Sequence, residues 1–404
     1  MGASKPLPLS SRVDVQAPNE LALARMDSEA RGLMITELTD SNPTRHGLFD
    51  PVVMDVLARH LGEAMRYSPD PRGWRPAREA LASRFGGDVD DYWLTASTSE
   101  AYSWLFAVLA DPGDAVAVPA PGYPLVEPLA RLSGLRTVPY RSVYLHPPGW
   151  ELDLDSVVNV ILTKSGPLPK AGPPPQAVRA LVAVNPNNPT GAYVQADQAA
   201  QLGAMCARAG LPIIADEVFF PFVLDEPGSQ PPPRLADAVG SDTVIVTLDG
   251  LSKLLAAPQL KLGWIRLSGP KARTAALAEA LDVVADTYLS VNSPVACALP
   301  ELLELADASV GRIRARCTAN LRALDSLGDG FRVRKTQGGW TALVDVPKLT
   351  NDDALARRLL AAGLAAHPGW FYDLPDEGCL AISLLPEPDA FAESIRRLGE
   401  AVNR

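Results

Sequence analysis

Short apolar runs alternate with amphipathic stretches from about residue 92 to residue 267. Runs 180–184, 211–215 and 243–248 are too short for ordinary helices and rich in valine, isoleucine and leucine, so they predict buried strands. Residues 92–95 and 115–118 predict two more. Helical periodicity marks 51–67, 75–85, 100–109 and 122–133, and residues 1–30 read as a flexible start followed by a helix. Strands separated by helices imply a mainly parallel sheet covered on both faces, the α/β class. After Lys271 a long helical stretch gives way to an antiparallel pattern at 331–335, 341–346 and 380–383, which predicts a smaller α+β unit. No internal repeat is visible.

Three of the predicted strands end in polar residues of different chemistry. The first runs into Asn185-Pro186-Asn187-Asn188-Pro189-Thr190-Gly191, the second into Asp216-Glu217-Val218-Phe219, and the third into Leu251-Ser252-Lys253-Leu254. In an open α/β sheet the carboxyl ends of neighbouring strands line one crevice. An amide, a carboxylate and a lysine should therefore meet there. Each has a plainer explanation alone: a proline turn, a helix-capping aspartate, a solvated lysine. Lys253 fits the plain reading poorly, because a buried strand precedes it and Leu254-Leu255 follow. Ser97-Thr98-Ser99, at a strand-to-helix turn, forms a capping box with Glu100 and equally a ready anion site.

These segments resemble the class I/II aminotransferases, the fold type I family of pyridoxal-phosphate enzymes. The specific parts are Asn187-Asn188-Pro189-Thr190-Gly191 and the Ser252-Lys253 pair followed by Lys261-Leu262-Gly263-Trp264, and the resemblance runs from about Leu38 to the C-terminus. It implies a large domain at 38–275 carrying the mainly parallel sheet and a small α+β domain at 276–404, with segment 1–37 packing on the small one. It implies pyridoxal 5′-phosphate as cofactor. Lys253 would form its Schiff base and shuttle a proton, Asp216 would face the pyridine nitrogen, and Asn188 would donate to the ring oxygen. Tyr123 would stack on the ring. Ser97, Thr98, Ser99, Ser252 and Lys261 would hold the phosphate. Tyr67 would reach the phosphate of a neighbouring protomer, implying a homodimer with shared active sites. The loop Asp40-Ser41-Asn42-Pro43 would pass over the substrate, so Asn42, Asn188 and Trp340 are expected substrate contacts.

The chain departs from the family pattern at several positions. Phe219 stands where a tyrosine is usual, Gly250 where a serine is common, and Lys261 where arginine is common. The arginine that clamps the substrate carboxylate in an R-x-S setting aligns with Ala381, in Cys379-Leu380-Ala381-Ile382-Ser383. Arg45, Arg72 and Asn42 are candidate replacements, whereas Arg396 and Arg397 read as one face of the last helix. With that clamp missing, a substrate larger than alanine or aspartate is expected.

Composition narrows the classes. The 404 residues suggest two or three domains, and 47% hydrophobic content supports a large core. A formal charge of -10 argues against a nucleic-acid partner, and no apolar run is long enough to span a membrane. Cys206, Cys297, Cys317 and Cys379 form no CxxC, and the start lacks a signal-peptide core, so free thiols and the cytoplasm are expected. His46, His60, His146 and His367 have no metal spacing. Proline-rich stretches 167–175 and 227–233 read as surface loops. The expected function is amino transfer on an amino-acid-like small-molecule substrate in specialised biosynthesis. A β-lyase, or a decarboxylating or oxidative-deaminating enzyme, on a larger amino-acid conjugate is the alternative. A cofactor-binding regulator is remote, because the 37 residues before Leu38 are too few for a helix-turn-helix domain.

Overall fold

A computed structural model describes residues 7, 9–15, 17–146, 149–162, 177–224, 232–347 and 351–403. The proline-rich stretch 167–175 lies outside the described residues, as does 227–233 apart from Pro232 and Pro233. Eight strands form the main sheet, in the order Tyr92–Thr95, Gly263–Ser268, Ile245–Gly250, Ile213–Asp216, Val178–Val184, Ala115–Ala120, Arg136–Leu145, Gly149–Leu152. The four pairings from Ile245–Gly250 to Arg136–Leu145 are parallel. Gly263–Ser268 runs against both neighbours, and Gly149–Leu152 is an antiparallel edge. The link from Gly250 to Gly263 holds one short helix, Leu251–Leu254, and a 3₁₀ turn, Pro258–Leu260, so the chain turns back at the same end of the sheet without crossing a face.

The strand side chains alternate between two cores. Ala180, Val182, Ile214, Val246 and Leu248 meet Tyr102, Leu105 and Phe106 of the helix Thr98–Leu109 on one face. Leu181, Ala183, Ile213, Ala215 and Ile245 meet Leu202 and Cys206 of the helix Ala196–Ala209 on the other. Both faces being dry explains why these strands read as continuous apolar runs.

A second sheet pairs Arg332–Val333, Thr341–Asp345, Cys379–Ser383 and His367–Pro368 in antiparallel fashion. Thr36–Glu37 pairs in parallel with Leu364–Ala365. The strand His367–Pro368 was not expected, since two residues ending in proline carry no periodic signal. Two expected helices are shorter. The stretch 51–67 breaks at Gly62 into Val52–His60 and a 3₁₀ turn, Glu63–Met65. The stretch 122–133 starts only at Val126, because Pro124 disfavours helical geometry at Tyr123. Among the described residues, no helix is long and apolar enough to cross a membrane, and no group of three or more His, Cys, Asp or Glu could hold a metal ion.

Candidate active site

Strand register decides which loops meet. Asp216 is opposite Val184 on one side and Leu248 on the other, Gly250 is opposite Gly263, and Gly263 is opposite Thr95. The turn at 185–191, Asp216, Lys253 and the helix start at 97–99 therefore leave the sheet along one edge.

Asp216 is the last residue of its strand and 8% exposed. It shares the face of Ile214, so it points at the helix Thr98–Leu109. There the Tyr102 hydroxyl donates to its Oδ2 at 3.1 Å, and the Val218 N–H donates to Oδ1 at 3.3 Å. Burial pushes the Asp216 carboxyl up to about 6, while Val218, Tyr102 and Lys253 each favour the ionised form. Tyr102 was missed from the sequence. Its position one turn after Thr98 is the signal that could have found it. Glu217 points the opposite way, is fully buried, and accepts from Asn185 Nδ2 at 3.2 Å and from Arg234 Nη1 at 2.7 Å. It braces the turn from behind.

Lys253 sits in an aromatic box on the short helix Leu251–Leu254. Its Nζ lies 5.2 Å from the Phe219 ring centroid and 4.9 Å from that of Trp340. Phe219 and Trp340 pack edge to face at 5.3 Å. The missing tyrosine hydroxyl is thus replaced by apolar wall. Burial pulls the Lys253 ammonium down to about 8, with Asp216 pulling the other way. Trp340 is 2% exposed, and its Nε1 is buried without a hydrogen-bond partner among the described residues.

Segment 336–340 docks on the 185–191 turn. Gly338 N–H donates to Gly191 O at 2.9 Å, and Gly339 N–H to Phe222 O at 2.9 Å. Gly191 has φ +67, and a Cβ there would lie 2.5 Å from Gly338 O and 2.6 Å from Thr336 Cγ2. Gly191→Ala is therefore expected to combine left-handed strain with a backbone overlap. It should lower Tm by roughly 5–10 °C, and an unchanged Tm would show that the two segments are not held together this way.

At the helix start, the Ser97 hydroxyl accepts from Glu100 N–H at 3.2 Å. The Glu100 carboxylate turns back to Ala96 N–H at 2.6 Å and takes the Ser290 hydroxyl at 2.7 Å. The N–H groups of Thr98 and Ser99 remain as the free donors of the first turn. Gly263 passes beneath, where a Cβ would stand 3.3 Å from the Ser97 carbonyl carbon. A Cβ at Gly250 would meet Gly263 Cα and Leu262 O, each at 3.1 Å, so a side chain there would be tight. Ser252 lies next to Lys253, half-buried. Lys261, exposed and left-handed at φ 52, precedes Leu262-Gly263.

Asn188 is half-buried, and its side chain has no hydrogen-bond partner among the described residues. Tyr123 is 49% exposed at the same edge, where Asn187 Nδ2 donates to Pro121 O at 3.1 Å. Tyr67 is 76% exposed and lines a cavity with Trp74, Leu94 and Ser290, whose hydroxyl donates to Glu100 at the helix start. The Asp40 carbonyl accepts from the Ser383 hydroxyl at 2.7 Å, which lays the Asn42 loop over the end of the strand Cys379–Ser383. Asn42 Oδ1 is occupied by the Thr44 N–H and hydroxyl, at 3.1 and 2.7 Å.

Arg72 is not a free cation for a substrate. It forms a fork with Asp282 at 2.7 and 2.6 Å and lies over Trp93. Arg45 is 3.4 Å from Asp40. Arg396 pairs with Glu393 and Glu400 on the last helix, and Arg397 bonds Thr36 Oγ1 and the carbonyls of Ala362 and Gly363. Ala381 is fully buried in an apolar cluster.

The family model for aminotransferase class I and II matches residues 39–397. The alanine aminotransferase of Mycobacterium tuberculosis (strain H37Rv) is 28% identical over 291 residues, covering 70% of this chain and 62% of that protein. The glutamate-pyruvate aminotransferase of Haemophilus influenzae is 29% identical over 298 residues, covering 72% of this chain and 68% of that one. The solved alanine aminotransferase from Pyrococcus furiosus superposes with a TM-score of 0.81 at 22% identity, over 95% of this chain and 96% of that one. Enzymes of this class use pyridoxal 5′-phosphate. Matched along most of its length and sharing their fold, the chain belongs to the aminotransferase class I and II family.

Proposed function

We propose that the protein is a pyridoxal-phosphate-dependent aminotransferase acting on an amino-acid-like amine larger than alanine, in a biosynthetic route. The observation that carries this reading is Lys253, an amine drawn toward neutrality inside an aromatic box and facing the buried carboxylate of Asp216. The donor set suits the cofactor. The free N–H groups of Thr98 and Ser99, the hydroxyls around them and Lys261 suit a phosphate. Asp216 suits a protonated pyridine nitrogen, and the unpartnered Asn188 amide suits the ring oxygen.

When bound, the cofactor supplies an electron sink for the substrate carbon that bears the amine. The chain's residues do the rest. Asp216 holds a proton on the pyridine nitrogen, and Tyr102 holds Asp216 in place. Lys253 Nζ, with its pKa near neutrality, takes a proton from the substrate carbon and returns it. Phe219 and Trp340 keep water from the amine.

An amine panel tests the reading. The purified protein should convert its cofactor to pyridoxamine phosphate with at least one amine. Release of pyruvate or ammonia would instead mean elimination, and carbon dioxide decarboxylation. Because Ala381 supplies no fork, kcat/KM with alanine, aspartate or glutamate should fall below about 10⁴ M⁻¹s⁻¹. A higher value would mean that another residue holds the carboxylate.

We place a homodimer interface on the face that carries Met54, Leu61, Met65 and Tyr67, all more than half exposed. Tyr67 would serve the partner's site. Mixing inactive Tyr67→Phe and Lys253→Ala proteins should restore part of the activity, since a hybrid dimer contains one site with both residues. Light scattering that gives a monomer at micromolar concentration would remove this part. The large domain at 38–275 would then carry the cofactor and the domain at 276–404 the Ala381 wall, with segment 1–37 packed on the latter. Cys206, Cys297, Cys317 and Cys379 are buried and unbridged, which supports a reducing compartment such as the cytoplasm.

A further inference from the structure

Ala381 is closed off by a side-chain unit that the reaction above does not use. It shares a cluster with Leu343, Tyr372, Leu374 and Cys379. Its cross-strand partner is His367, whose ring projects from the same face. That ring stacks on Phe371 at 4.2 Å. Its Nδ1 is 3.1 Å from the Tyr372 hydroxyl, and its Nε2 is 3.4 Å from Thr39 Oγ1. The Thr39 hydroxyl bonds Glu37, which pairs with Arg25 at 2.6 Å. This unit borders the candidate site. Gly122 N–H donates to Tyr372 O at 3.0 Å, and Tyr123 stands near enough to oppose ionisation of Tyr372.

The direction of each bond in the chain follows from its far end. A carboxylate paired with arginine has no proton to give, so Thr39 donates to Glu37. The Thr39 oxygen then only accepts, so His367 donates through Nε2–H. Burial lowers the His367 pKa and keeps the ring neutral, with a lone pair at Nδ1. Tyr372 therefore gives its single proton to Nδ1. Its oxygen has only lone pairs left to offer a ligand.

We propose that the Tyr372 oxygen recognises a hydrogen-bond donor on the carbon bearing the substrate's amine, such as a primary amide or a hydroxymethyl group, in place of a free carboxylate. This rests on the aminotransferase reading for where the reacting carbon lies. A carboxylate offers acceptors only and would meet the acceptor Tyr372. Of the cations beside this unit, Arg25 is held by Glu37 and Glu29, and Arg334 by Asp345 and Asp376 at 2.8 and 3.1 Å, with its Nη1 buried and without a partner among the described residues. His367, Thr39 and Glu37 are positioning residues that set the direction of the chain.

The test titrates the cofactor-loaded protein with leucine, leucinamide and leucinol. Binding is followed by cofactor absorbance and by tryptophan fluorescence, with no need for turnover. Leucinamide and leucinol should bind at least about tenfold more tightly than leucine. Tyr372→Phe keeps the shape and removes the oxygen, so the ratio should fall below about threefold with cofactor content unchanged. Glu37→Gln can donate to Thr39 and let the chain run the other way, which should move the preference several-fold toward leucine. A purely structural Glu37 would change stability and leave the ratio alone. Leucine binding as tightly as leucinamide to the wild type, or an unchanged ratio in Tyr372→Phe, would overturn the proposal and leave the aminotransferase reading standing. A protein that takes up no cofactor would overturn both.

Discussion

Lys253→Ala is expected to lower amine turnover by about 10⁴-fold or more, the upper end for removing a positioned acid–base group. Among the described residues no other lysine can replace it. Lys261 and Lys271 are exposed, and the Lys335 stem packs against Gly149 on the second sheet's side. Only Lys253 follows a central strand, stands between two aromatic rings and feels the charge of Asp216. Borohydride reduction checks the point without turnover. In the wild type it should fix the cofactor to the peptide containing Lys253, and in the variant to none. Wild-type turnover with the adduct on another lysine would remove Lys253 from the site.

Asp216→Asn should cost about 10²–10³-fold in kcat, the range for losing one preorganised electrostatic group, while the phosphate cradle still retains cofactor. Asparagine keeps an oxygen for the Tyr102 hydroxyl and loses only the charge. A pH dependence separates this from misfolding. The Asp216 carboxyl sits at about 6 in the cofactor-free fold, above its ordinary 3.8, chiefly through burial. The fold therefore favours the protonated form, and its contribution to stability is complete below about 4 and lost as pH rises through 6. Asparagine cannot ionise. Between pH 4 and 7.5 the cofactor-free wild type should lose stability relative to the variant by on the order of 2 kcal/mol. Parallel urea midpoints across that range would show that Asp216 is not buried as described, and wild-type kcat would show that it does not face the reacting ring.

How much could be read without coordinates differs from residue to residue. The strands carrying Asn188, Asp216 and Lys253 were legible because buried parallel strands are continuous apolar runs with sharp polar ends. The helix start at Thr98 was legible because capping needs a hydroxyl at a set spacing. Arg72 looked available in the sequence and is committed to Asp282, which lies 210 residues away. Gly250 looked like a lost phosphate contact, and the close approach of Gly263 makes that position tight for a side chain.

The sequence by itself determined the α/β alternation, the dry faces of the main sheet, and the order in which amide, carboxylate and lysine reach its carboxyl edge. These depend on periodicity and chain ends, which are local. Tertiary structure alone decided what surrounds those groups. Tyr102 meets Asp216 across 114 residues, and His367 meets Thr39 across 328. Phe219 and Trp340 close on Lys253 only because segment 336–340 docks on the 185–191 turn. Such neighbours set the pKa of the amine and the polarity of the Tyr372 oxygen, because both depend on desolvation and on the far ends of hydrogen-bond chains. No spacing along the chain encodes them.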